Sequence, residues 1–134
     1  MVTRSNERMR SHAARGFTLI ELLVVLTIVA LLLTLAAPRY FQHIDTAKEA
    51  VLRENLHTTR AVIDKFYGDI GHYPQSLDEL VEKKYLRSLP VDPITGSETS
   101  WIIVAVPDGY EGAVYDIKSG APGTGKDGKP YAEW

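Results

Sequence analysis

Arg15-Gly16-Phe17-Thr18-Leu19-Ile20-Glu21 opens an apolar run that lasts to Ala37, and the rest of the chain is read from it. Between Phe17 and Ala37 the only charge is Glu21, and the only other polar side chains are Thr18, Thr27 and Thr34. As a helix the run would be about 31 Å long, enough to cross the hydrocarbon core of a bilayer. A carboxylate inside such a span costs at least about 2.5–3.5 kcal/mol near the bilayer centre, so it needs a compensating partner. Cleavage after Gly16 would supply one, the new α-amine of Phe17, four residues from Glu21 on one helix face and at a helix end that favours an anion. A secretory signal peptide is cut after its apolar region. Here the cut would precede that region, and the membrane helix would stay in the product.

The chain has 134 residues, and removing 16 leaves 118. Beyond the span fewer than a hundred remain, which is one small domain. The formal charge of −2 is unevenly placed. Residues 1–16 hold Arg4, Arg8, Arg10 and Arg15 against Glu7, a balance of +3, while the remainder holds 11 basic and 16 acidic side chains. Basic flanks stay in the cytoplasm, so the C-terminal domain is expected outside, in the periplasm of a cell with two membranes. An acidic domain without a basic patch argues against nucleic acid as a partner. Cysteine is absent, so no disulfide supports the domain.

Past Pro38 the helical pattern continues. Leu52, Leu56, Thr59, Ile63, Phe66 and Ile70 recur at alternating spacings of four and three, a single buried stripe. Lys48, Glu49, Arg53, Glu54, Arg60, Asp64 and Lys65 between them read as a solvated outer face. Pro38 withdraws the hydrogen bond that Thr34 would otherwise receive, predicting a kink or a loosened turn. Gly71-His72-Tyr73-Pro74 ends this stem. Ser76 and Glu79 have capping-box spacing before a short helix, 77–84. Thr99 to Val106 and Tyr110 to Ile117 read as the strands of a hairpin, 99–117, turning at Pro107-Asp108-Gly109. Residues 118–134 form a glycine-rich loop, with Tyr131 and Trp134 expected to pin it to the domain.

The N-terminal residues resemble the type IV pilin and pseudopilin superfamily: a basic residue, Gly16, then Phe-Thr-Leu-Ile-Glu and a long aliphatic run. The resemblance implies that a prepilin peptidase cuts between Gly16 and Phe17 on the cytoplasmic side and methylates Phe17. It also implies that Glu21 acts in filament assembly together with Phe17, and that the helix unwinds near the proline on assembly. A simple kink at the membrane surface is the alternative. Gly71-His72-Tyr73-Pro74, Tyr85-Leu86, Leu89-Pro90, Asp92-Pro93 and the end on Trp134 are similar to the G-type, major pseudopilin branch of type II secretion. That branch usually has Trp-Gly soon after the Asp-Pro, where Ile94-Thr95-Gly96 stands here. Its terminal loop usually holds calcium on aspartates. The candidate ligands in this chain are Asp116 and Asp127, opposed by Lys118, Lys126 and Lys129; the competing expectation is a loop held by Tyr131 and Trp134 without a metal.

His12, His43, His57 and His72 offer no ligand cluster, and no catalytic constellation can be assembled, so no enzyme is expected. The expected fold class is α+β and pilin-like: a long N-terminal helix whose first half spans the membrane, packed on a small antiparallel sheet. The expected organisation is a cleaved leader 1–16, a membrane and filament-core helix 17–37, and a periplasmic domain 38–134 with its stem at 38–70. The implied function is that of a pseudopilus subunit in the export of folded proteins. Its expected partners are further copies, minor pseudopilins, the prepilin peptidase and an inner-membrane platform carrying the ATPase. A type IV pilin for adhesion, twitching or DNA uptake is the runner-up, and a tethered binding module that never polymerises is a third reading.

Overall fold

The computed structural model describes residues 1–2 and 14–134. Arg4, Glu7, Arg8, Arg10 and His12 of the basic leader lie outside the described residues. The chain divides into two compact units, Met1–Arg39 and Tyr40–Trp134. Helix α1, Leu19–Ile70, contributes to both, and its helical assignment runs unbroken through Pro38.

In the first unit α1 starts at Leu19, two residues later than the apolar run suggested. Thr18 is the reason. Its hydroxyl accepts the backbone N–H of Glu21 at 3.2 Å, and its carbonyl accepts that of Leu22 at 3.2 Å, which is how an N-cap residue satisfies a helix's first orphan donors. Every residue from 14 to 43 is exposed. The two remaining polar side chains of the span satisfy themselves: Thr27 donates to the Leu23 carbonyl at 2.7 Å and Thr34 to that of Ala30 at 2.8 Å. A helix that is apolar all round and covered by nothing has the composition of a membrane span.

In the second unit the stripe on α1 buries Leu52, Leu56, Thr59, Ile63 and Phe66, while Ile70 stays 36% exposed at the helix end. Against it pack Tyr73, Leu80, Trp101, Val114, Ile117, Ala121 and Tyr131. The stripe extends one step towards the N-terminus, and the side chain there is Glu49, which is buried. Reading Glu49 as part of the solvated face is therefore corrected. It lies three residues before Leu52, on the core side, and it finds partners there.

Gly71, at φ 90°, stops α1, its N–H returning to the Tyr67 carbonyl at 2.8 Å. Ser76 then caps α2, Leu77–Glu82, by accepting the Glu79 N–H. This helix ends two residues before the expected Lys84, because Lys84 itself turns left-handed at φ 63°. The N–H groups of Lys84 and Tyr85 bond back to Val81 and Leu80, a Schellman closure with lysine where glycine is usual. A left-handed lysine costs about 1–2 kcal/mol. Lys84→Gly should therefore raise the unfolding free energy by up to about 1 kcal/mol after the added chain entropy of glycine, read as a higher urea midpoint; a lowered midpoint would refute this.

The expected hairpin is present only in part. Strands β1, Ile102–Val104, and β2, Asp116–Lys118, are antiparallel, with Ile103 opposite Ile117. Asp108-Gly109 forms the turn, with the Tyr110 N–H on the Pro107 carbonyl at 3.3 Å. Residues 111–114 leave the ladder because their backbone is engaged elsewhere. The Glu111 carbonyl accepts the Tyr73 N–H, and the Ala113 and Val114 N–H groups donate to the Pro74 carbonyl. The end of the stem thus takes hydrogen bonds that a longer hairpin would need. The fold is the expected α+β arrangement of a long apolar helix and a small antiparallel sheet.

Candidate functional site

Two regions carry the sequence-predicted residues, one in each unit. In the first, Arg15, Gly16, Phe17 and Glu21 line one open concavity. With the leader still attached, Phe17 is 85% exposed and precedes the helix; the four-residue helical spacing to Glu21 is the expectation for the cleaved chain. The cap at Thr18 leaves the Gly16–Phe17 bond outside the helix while Glu21 occupies its first turn. The Glu21 carboxylate thereby stands at the positive end of the helix dipole.

In the second unit Asp116 and Asp127 are both engaged by arginines of α1. The Arg60 Nε donates to Asp116 Oδ1 at 2.7 Å. The Arg53 Nη2 donates to Asp127 Oδ2 at 3.2 Å. Among the described residues, no group of three or more histidine, cysteine, aspartate or glutamate side chains gathers to hold a metal. Calcium prefers six to eight oxygens with several carboxylates, and two carboxylates each already paired with a guanidinium do not fit it. The Asp127 carboxyl is held below the usual carboxylate range by the Lys129 backbone N–H and then by Arg53. Its contribution to stability is present above the ordinary carboxylate pKa and is lost as pH falls through the lower folded value.

The glycine-rich segment is ordered by groups that sequence periodicity did not single out. Glu49 Oε1 accepts the Tyr131 hydroxyl at 2.9 Å and the Lys126 N–H at 3.0 Å. Burial, and then the neighbouring Glu49 carboxylate, push the Tyr131 phenol above its ordinary pKa. Lys126 also reaches the Gln42 carbonyl at 3.0 Å with its ammonium, and the Thr46 hydroxyl. The Trp134 ring meets Tyr131 edge-on at 5.1 Å and lies under the Arg53 guanidinium at 4.0 Å. Gly125 is needed because a Cβ there would strike that indole. At the start of the segment the Ser119 hydroxyl donates to the fully buried Asp92 at 2.5 Å. Asp92 also accepts the Ile94 N–H at 2.9 Å, closing the turn that follows Asp-Pro on its own side chain. The pinning role expected of Tyr131 and Trp134 is what their contacts display; Glu49 and Arg60 supply its polar half. The one available signal was that Glu49 continues the three-and-four spacing of the buried stripe.

The prokaryotic N-terminal methylation motif matches residues 11–37. The chain is 34% identical over 101 residues to the type II secretion system core protein G of Pseudomonas aeruginosa, covering 63% of this chain and 71% of the relative. It is 31% identical over 124 residues to the protein of the same name in Escherichia coli, covering 81% of each. It is also 26% identical over 131 residues to the fimbrial protein EcpC of Eikenella corrodens, covering 90% of this chain and 81% of the relative. No solved structure matches. With the methylation motif at residues 11–37, an exposed apolar helix behind Gly16-Phe17 and an α+β domain on its distal part, the chain belongs to the family of the type II secretion system core protein G, within the pilin superfamily.

Proposed function

We propose that this protein is a structural, non-catalytic subunit of the type II secretion pseudopilus, polymerising through its N-terminal helix to drive export of folded proteins across the outer membrane. The observation that carries this reading is the uncovered apolar surface of residues 17–37 directly behind Gly16-Phe17, with its single carboxylate in the first helical turn. One apolar surface serves lipid first and neighbouring subunits second. Buried in a bilayer it needs no protein partner; drawn out of the bilayer it must be covered by the same surface of other copies. The subunit begins in the inner membrane with its leader cytoplasmic and its domain periplasmic. Its partners are the prepilin peptidase, minor pseudopilins and a membrane platform that supplies the energy of assembly.

Processing is tested directly. Intact-mass analysis of membrane-purified protein should find a chain starting at methylated Phe17, and a bulky residue at Gly16 should leave the leader attached. A mature chain starting at Met1, or cut near Ala36 or Ala37, refutes the assignment. Deleting the chain from its host should strand exported proteins in the periplasm. Intact export together with lost twitching, adhesion or DNA uptake would instead favour the pilin reading, which the fimbrial relative keeps in view.

A further inference from the structure

Arg60 spends its side chain on three oxygens of residues 116–134. Besides Asp116 Oδ1 at 2.7 Å, its Nη2 donates to the Ile117 carbonyl at 2.9 Å and to the main-chain oxygen of Trp134 at 2.7 Å. One carboxylate and two main-chain oxygens converging on a cation are the kinds of donor a calcium ion collects. Here the cation comes from the stem, one face of α1, and the oxygens come from β2 and from Trp134, which caps the closing turn at Tyr131–Glu133. Asp127 cannot complete a common metal site with Asp116. It is tied to Arg53, which lies seven residues and about 10 Å from Arg60 along the helix axis. A divalent ion brought to Asp116 would also meet the Arg60 charge at close range.

We infer that Arg60 is the structural cation of the C-terminal segment, taking the position that a metal would otherwise fill, so that this subunit locks its glycine-rich end to the stem without calcium. The guanidinium is suited to this because it presents several donors in a fixed plane and keeps its charge at any physiological pH. A second, metal-free anchor is Glu49, about three turns nearer the N-terminus of α1, which takes the Tyr131 hydroxyl and the Lys126 N–H from the same segment. The inference holds whether or not the chain polymerises, since it concerns the folded subunit.

The test uses the full chain purified in detergent, followed by tryptophan fluorescence, since Trp101 and Trp134 both lie in the second unit. The thermal midpoint should be the same in a chelator, in millimolar calcium and in millimolar magnesium. Limited trypsin digestion should cut after Lys126 at least about tenfold faster in Arg60→Gln than in the parent, because charge-assisted bonds holding the segment are lost. Arg60→Lys, which keeps the charge without the fork, should fall between the two. A parent midpoint that climbs with calcium but not with magnesium overturns the inference even if Arg60→Gln fails to fold. So does an Arg60→Gln chain whose Lys126 site stays as protected as the parent's.

Discussion

Replacing Glu21 with valine will leave the protein in the membrane and abolish its filaments. Insertion improves because the cost of a carboxylate within the span, at least about 2.5–3.5 kcal/mol near its centre, disappears. The helix keeps its cap, since Thr18 accepts the backbone N–H of residue 21 and not its side chain. What is lost is the one charge that can attract the α-amine of an incoming Phe17. Glu21 and Phe17 open onto the same concavity, and neither is covered by the rest of the chain. Membrane fractionation and electron microscopy of sheared filaments read the two halves separately. Glu21→Val protein that polymerises like the parent would disprove the pairing, whereas a variant missing from the membrane would point to a folding or targeting role.

Phe66→Ala should be the most damaging single change to the second unit. The ring is fully buried. Tyr85 meets it edge-on at 5.2 Å and His72 at 5.8 Å, and the Lys83 ammonium stands 5.5 Å from its centroid. Removing a phenylalanine from such a site costs about 3–5 kcal/mol, against a total of about 5–15 kcal/mol for a small domain. No disulfide is available to offset the loss. Urea denaturation followed by tryptophan fluorescence should show most of the stability gone. A loss under about 1 kcal/mol would mean that the core is not centred on this ring.

Several elements were legible because their signals are local. The apolar run and its single carboxylate, the stripe from Leu52 to Phe66, the stop at Gly71 and Pro74, the cap at Ser76 and the turn at Asp108-Gly109 each rest on spacing or on a residue's own backbone preference. None needs a distant partner to be recognised. The elements that differ from their local signals depend on one. Residues 111–114 were expected to extend a strand, and their backbone groups turned instead to Tyr73 and Pro74. Lys84 was expected to be helical, and the bonds from Tyr85 and Leu86 to the Leu80 carbonyl held it left-handed.

The site divides in the same way. By itself the sequence determined the long apolar helix of membrane-spanning type, the expected processing point and the position of Glu21, since hydropathy and order along the chain are enough for those. Only the tertiary structure decided what Glu49, Arg53 and Arg60 do. On the helix all three read as ordinary solvated charges. Their partners, Tyr131, Asp127 and Asp116, stand 82, 74 and 56 residues further along the chain. A polar side chain's periodicity shows which face it occupies, and which oxygen or proton it meets there is known only once the chain has closed on itself.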